Sequence, residues 1–97
     1  MYARVATWEG GDADGIRQAA DRINEQAASG PPEGVPAKSF LLLTDPDNGR
    51  ALAVTLFETE EDYEQGDETL NSMNPPDEGL GRRVSVDKYE VGVNVST

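Results

Sequence analysis

The chain opens on a run of mainly apolar residues, 2–8, in which only Arg4 and Thr7 are polar. We expect a β-strand here, in which successive side chains point to opposite faces of the sheet. Two sets of side chains would then lie on opposite faces: Ala3, Val5 and Thr7, and Tyr2, Arg4, Ala6 and Trp8. Gly10 and Gly11 end the pattern, so we expect the strand to stop there.

A helix is predicted next, because the apolar spacing changes to that of one helical face. Asp12 or Asp14 is the expected N-cap. The apolar positions that follow recur at intervals of three and four residues: Ile16, Ala19, Ala20, Ile23 and Ala27. The segment 29–32, Ser-Gly-Pro-Pro, ends the pattern.

Two further strands are predicted at residues 38–44 and 51–57, joined by a turn that contains Asn48-Gly49. Asn-Gly between apolar runs is typical of a β-hairpin. Both runs are apolar on both faces, whereas an antiparallel strand with one wet face alternates apolar and polar residues. We therefore expect both faces of this hairpin to be covered.

The last third of the chain predicts a second helix and a final strand. Thr59 is the expected cap of the helix, with the acidic residues 60–62 in its first turn. The face of this helix that we expect to pack on the sheet has few apolar residues: Tyr63, Gly66, Leu70 and Met73. The strand, residues 83–95, changes its apolar phase near Asp87-Lys88, which predicts a β-bulge there.

This order, β-α-β-β-α-β, predicts one α+β domain over residues 1–97, with a ferredoxin-like, four-stranded antiparallel sheet. Its two helices suffice for only one face of that sheet. The other apolar face needs a cover, and a second copy of the same chain is the simplest one. We therefore expect a homodimer.

The composition of the chain excludes several classes of partner and several kinds of chemistry. The formal net charge is −11, and the 8 basic residues are scattered, which argues against nucleic acid and anionic membranes as partners. The chain has no cysteine and no histidine, so thiolate chemistry, imidazole metal ligands and a Ser-His-Asp triad are excluded. No apolar run has the length of a signal peptide core or a membrane span, so the cytoplasm is the expected location.

Three segments carry a resemblance to a known superfamily: residues 2–10, the hairpin 40–58 and the closing residues 86–91. They resemble the dimeric α+β barrel proteins, and in particular small stand-alone members similar to antibiotic biosynthesis monooxygenases. The resemblance implies a dimer with facing sheets and a pocket between each sheet and its helices. Some of these proteins oxidise polycyclic phenols without metal or flavin, and others degrade haem with a histidine ligand. Since this chain lacks histidine, no cofactor is expected.

A candidate ligand pocket follows from that resemblance and from the residue types present. Its members carry aromatic rings, an amide, a thioether or a guanidinium group: Arg4, Trp8, Tyr63, Met73, Asn74 and Tyr89. Each has a simpler interpretation as well. The rings suit packing, Arg4 suits an ion pair with an acidic residue, and Asn74 suits a helix end before Pro75.

Two functional hypotheses remain open, and catalytic residues are unassigned. The first is a cofactor-independent, monooxygenase-like pocket for an apolar aromatic substrate, with Glu9 or Glu58 as the proton carrier. The second is a non-catalytic dimeric binding or structural module. No metal site is predicted, because the loop 45–49 lacks the spacing of a calcium site, and helix-start acidity accounts for the acidic residues of 58–64.

Overall fold

The structure is a computed structural model, and it describes residues 1–27, 30, 34–72 and 80–95. It contains four strands and two helices among these residues. In chain order they are β1 (Tyr2–Gly10), α1 (Ala13–Ala27), β2 (Ser39–Asp45), β3 (Arg50–Phe57), α2 (Glu60–Ser72) and β4 (Gly81–Glu90).

The strands form one antiparallel sheet in the spatial order β2-β3-β1-β4. β1 lies in the middle and pairs with β3 on one side and β4 on the other, while β2 pairs with β3. The predicted α+β class with a four-stranded antiparallel sheet is therefore confirmed, and the arrangement is compatible with a ferredoxin-like fold.

The two helices pack on one face of the sheet, called here the covered face. Ala6 and Trp8 of β1 pack with Ala51 of β3 and Ala19 of α1 in one buried cluster. A second cluster joins Phe57 at the end of β3 to Tyr63 of α2 and to Val35. The alternation predicted for β1 holds, because the even-numbered residues 4, 6 and 8 face the helices.

Both helix starts use the predicted capping residues. The Gly15 amide donates to Asp12 Oδ1 at 2.6 Å, and the Asp62 amide donates to Thr59 Oγ1 at 3.1 Å. Each bond satisfies an amide that has no partner within its helix. These two caps therefore determine the residue at which each helix begins.

The β2–β3 hairpin turns through a short 3₁₀ segment, Pro46–Asn48, followed by Gly49. Gly49 has φ 67°, and a Cβ there would lie 2.6 Å from the Gly11 carbonyl oxygen. Glycine is required at this position both for its left-handed backbone and for the close approach of another chain segment.

β4 differs from the prediction in its bounds and in its irregularity. It runs from Gly81 to Glu90 instead of over residues 83–95, and its irregularity lies opposite Thr7 and Trp8, at Val84, rather than near Asp87-Lys88. Val86 packs with the covered core, whereas Tyr89 pairs with Ala3 and so belongs to the other face. The apparent change of phase arises because this strand has apolar residues on both faces.

Neither helix is long and apolar enough to cross a bilayer, a finding that applies to the described residues.

Candidate functional site

The structure brings together only part of the predicted pocket. Arg4 of β1 and Tyr63 of α2 lie close together, and Trp8 packs in a separate cluster further along β1. Tyr89 lies on the opposite face of the sheet, where it is 56% exposed. Met73 and Asn74 lie outside the described residues.

Arg4 is the centre of a polar group between β1 and α2. Its side chain is only 4% exposed. Its Nε donates to Asp67 Oδ1 at 2.7 Å, and its Nη2 donates to Asn71 Oδ1 at 3.1 Å. Because Asp67 and Asn71 are four residues apart on α2, they face β1 from successive turns of the helix. The acidic partner that a buried Arg4 requires is thus Asp67.

A second group of polar contacts, made by Lys88, holds the start of α2 against the sheet. The Lys88 amino group lies 5.2 Å from the centre of the Tyr2 ring and 5.0 Å from the centre of the Tyr63 ring. It therefore makes a cation–π interaction with each of these rings. The same amino group lies 3.5 Å from Glu60 Oε2. Lys88 therefore links β4, β1 and α2.

The two tyrosines of this region hold their protons more firmly than free phenols. Burial, with a smaller effect of the Asp67 carboxylate, raises the pKa of Tyr63 above its usual 10.0, and the Arg4 charge partly opposes that rise. The Glu60 carboxylate is the main cause of a raised pKa at Tyr2. Near neutral pH both phenols are hydrogen-bond donors, and neither is suited to act as a general base.

Trp8 serves the packing of the covered face. It is 6% exposed and lies in the cluster with Ala19 and Ala51. Tyr63 is likewise 6% exposed and packs edge-on against Phe57, with the ring centres 5.5 Å apart. Neither ring lines either of the two recesses described below.

Two recesses lie at the far end of the sheet from Tyr63, among the described residues. One, of about 400 Å³, is lined by Glu9, Gly10 and Arg82. The other, of about 180 Å³, is bounded by residues of β1, β2 and β3: Thr7, Leu43, Thr44, Asp45, Arg50, Ala51 and Leu52. Glu9, a proposed proton carrier, thus borders a recess.

The face opposite the helices, called here the open face, carries a continuous apolar patch. Its apolar members come from all four strands: Ala3, Val5, Leu41, Leu43, Leu52, Val54, Leu56 and Tyr89. Leu41 is 54% exposed and Leu43 is 49% exposed. No described element of the chain covers this face.

Charge on the open face is nearly balanced. Its charged side chains are Glu9, Asp45, Arg50, Arg82 and Asp87. Three carboxylates and two guanidinium groups leave it one negative charge, against −11 for the whole chain. Arg82, Glu9, Arg50 and Asp45 form a row of alternating sign across the four strands, at one end of the apolar patch.

No grouping of side chains suited to a metal ion occurs among the described residues. Comparison of the sequence with models of known families and with curated proteins found no match.

Sequence reasoning missed Asp67, Asn71 and Lys88. A usable signal was present, since Asp67 and Asn71 follow Tyr63 at intervals of four and so share its inward face. An acidic residue on that face predicts a basic partner on the sheet beneath it. Lys88 gave no such signal, because its contacts depend on which strand lies beside β1.

Proposed function

We propose that this chain is a ferredoxin-like module that forms a homodimer. In this dimer the open face of one copy packs against the open face of the other, as in a dimeric α+β barrel. We propose that the module catalyses no reaction of its own. The supporting observation is the apolar patch of the open face, which faces outward from the sheet while both helices pack on the opposite side. Contiguous exposed apolar patches mark interaction sites.

A second copy is the partner that suits this face. A chain with a net charge of −11 repels its own copy over most of its surface. The open face carries only one net negative charge, so two chains approach each other there with the least repulsion. Its charged row alternates in sign, and in a twofold dimer the same surface must complement itself.

The packing of the covered face favours a module over an enzyme of the oxygenase type. A phenol-oxidising pocket between sheet and helices would need space beside Trp8 and Tyr63. Both rings are packed among buried neighbours, and the two recesses lie elsewhere. Trp8 and Tyr63 thus serve the core.

A charge placed at the middle of the open face tests the proposal. Val54→Lys should halve the mass of the assembly measured by light scattering or sedimentation, because it would bury an unpaired ammonium group between two apolar faces. Gln65→Lys is the matched control, since residue 65 is exposed on α2. It should leave the mass unchanged.

An assembly of Val54→Lys with wild-type mass would reject the packing of open faces. A folded wild-type chain that is monomeric at micromolar concentration would reject it as well. Far-ultraviolet circular dichroism of Val54→Lys separates loss of association from loss of the fold.

A further inference from the structure

The outer edge of β2 is a second surface that lacks a partner among the described residues. Among the described strands, β2 lies at the edge of the sheet and pairs with β3 alone. Its residues 39–44 carry no charge. Phe40 on the covered side and Leu41 and Leu43 on the open side are all between 43% and 54% exposed. Such an edge offers its backbone N–H and C=O groups to another strand.

The other edge of the same sheet is protected. β4 carries five charged residues among its ten: Arg82, Arg83, Asp87, Lys88 and Glu90. It also contains the irregularity at Val84. Charged side chains and bulges are the usual means by which proteins prevent pairing at a strand edge. β2 has neither between Ser39 and Thr44, although it belongs to a highly charged chain.

We propose that β2 pairs antiparallel with β2 of a second copy, about a twofold axis at Leu42, and so joins two sheets edge to edge. In this register Leu41 lies opposite Leu43 of the second copy, and Phe40 lies opposite Thr44. Every pair keeps its face, because the two members differ by an even number of residues. The open faces of the two copies then become one continuous surface.

Charge at the two ends of β2 supports the second copy as the occupant. Lys38 precedes the strand, and Asp45 ends it. Antiparallel pairing about Leu42 places Asp45 opposite Ser39 of the second copy, and therefore beside its Lys38. The twofold axis makes this contact twice. A parallel arrangement would instead place like charges together.

This inference rests on the edge of the sheet and does not depend on the packing of open faces. If both contacts form, and their twofold axes intersect at right angles, the assembly contains four chains. If only the edge pairs, it contains two, and these lose their association through substitutions on β2 but keep it in Val54→Lys.

Cysteine pairs test the register, because the natural chain has no cysteine. Phe40→Cys and Thr44→Cys lie on the covered side, away from any contact between open faces. Directly opposed residues have Cα atoms about 4.5–5.5 Å apart, which suits a disulfide. A mixture of the two variants should give a disulfide-linked dimer under mild oxidation. Either variant alone should not, since identical positions would be about 13 Å apart along the strands.

The double variant Phe40→Lys/Thr44→Lys should halve the mass of the wild-type assembly, because it places two lysines opposite each other at both ends of the junction. Combined with Val54→Lys, it should give a folded monomer. The control Gln65→Lys should leave the mass unchanged.

Absence of the mixed disulfide, with wild-type mass in Phe40→Lys/Thr44→Lys, would overturn edge pairing. A disulfide between Phe40→Cys or Thr44→Cys and Val93→Cys would also overturn it, since that result would place the C-terminal segment of another chain on this edge. Either outcome leaves the test of Val54→Lys untouched.

Discussion

The covered and open faces of the sheet differ in what completes them. On the covered face, small residues such as Ala6, Ala51 and Ala53 leave room for two helices, and Trp8 and Phe57 fill the remaining space. On the open face, aliphatic residues occupy all three central positions 52, 54 and 56 of β3. The first face is covered by the helices of its own chain, whereas no described element of the chain covers the second.

This difference predicts that the two faces respond to different measurements. Substitutions on the covered face should change the stability of each chain at any concentration. Substitutions on the open face should change stability through association, which depends on concentration.

The largest effect is expected from Phe57→Ala. Phe57 is fully buried against Tyr63, so truncation should lower the free energy of unfolding by about 3–5 kcal/mol. Leu41→Ala is the control on the open face. In urea unfolding at two protein concentrations, the loss in Phe57→Ala should be the same at both. The loss in Leu41→Ala should vary with concentration, and a constant loss would remove the distinction between the faces.

A smaller effect is expected from Asp67→Asn. The amide keeps the size of the carboxylate and an oxygen for Arg4 Nε, but leaves the buried guanidinium group without an opposite charge. Because Asp67 is 32% exposed, water moderates the cost, and we expect a loss of up to about 3 kcal/mol. Glu64→Gln, on an exposed position of α2, removes the same charge and should cost little. Equal losses in the two variants would show that the Arg4 pair contributes nothing.

The smallest effect is a pH dependence at Tyr63. Because burial raises the pKa of this phenol, the folded chain holds its proton where the unfolded chain has lost it. The resulting stabilisation is complete below pH 10.0 and declines as the pH rises through the higher pKa of the folded state. When the pH is raised from about 9 to about 11, the free energy of unfolding should therefore fall less in Tyr63→Phe than in the wild type. Urea unfolding at several pH values measures this difference. Identical declines would exclude Tyr63 as a source of alkaline sensitivity.

Local sequence patterns predicted the elements well, because each rests on a local physical cause. Asp12 and Thr59 cap their helices as expected, since a capping side chain bonds amides only two or three residues away. The alternation in β1 placed Arg4 and Trp8 on the same face. Gly49 marked the hairpin turn through its backbone conformation.

The candidate site could not be predicted to the same degree, because it depends on contacts between distant elements. Arg4 and Asp67 are 63 residues apart in sequence. Tyr63 was expected beside Trp8, but the two rings lie in separate clusters along β1. Tyr89 was expected in the same pocket, and the register of β4 places it on the open face. Such assignments require the order and register of strands, which residue types alone do not supply.

Gly66 sets the height of α2 above the sheet. A Cβ at this position would overlap Cε1 and Cζ of Phe57, so the aromatic ring occupies the space that any side chain would need. Asp67, the next residue of the helix, accepts the hydrogen bond from Arg4 Nε at 2.7 Å. Even the methyl group of an alanine at position 66 would push the helix away from the Phe57 ring. The same shift would move the Asp67 carboxylate away from the Arg4 guanidinium group. One substitution would therefore weaken both a hydrophobic contact and an ion pair.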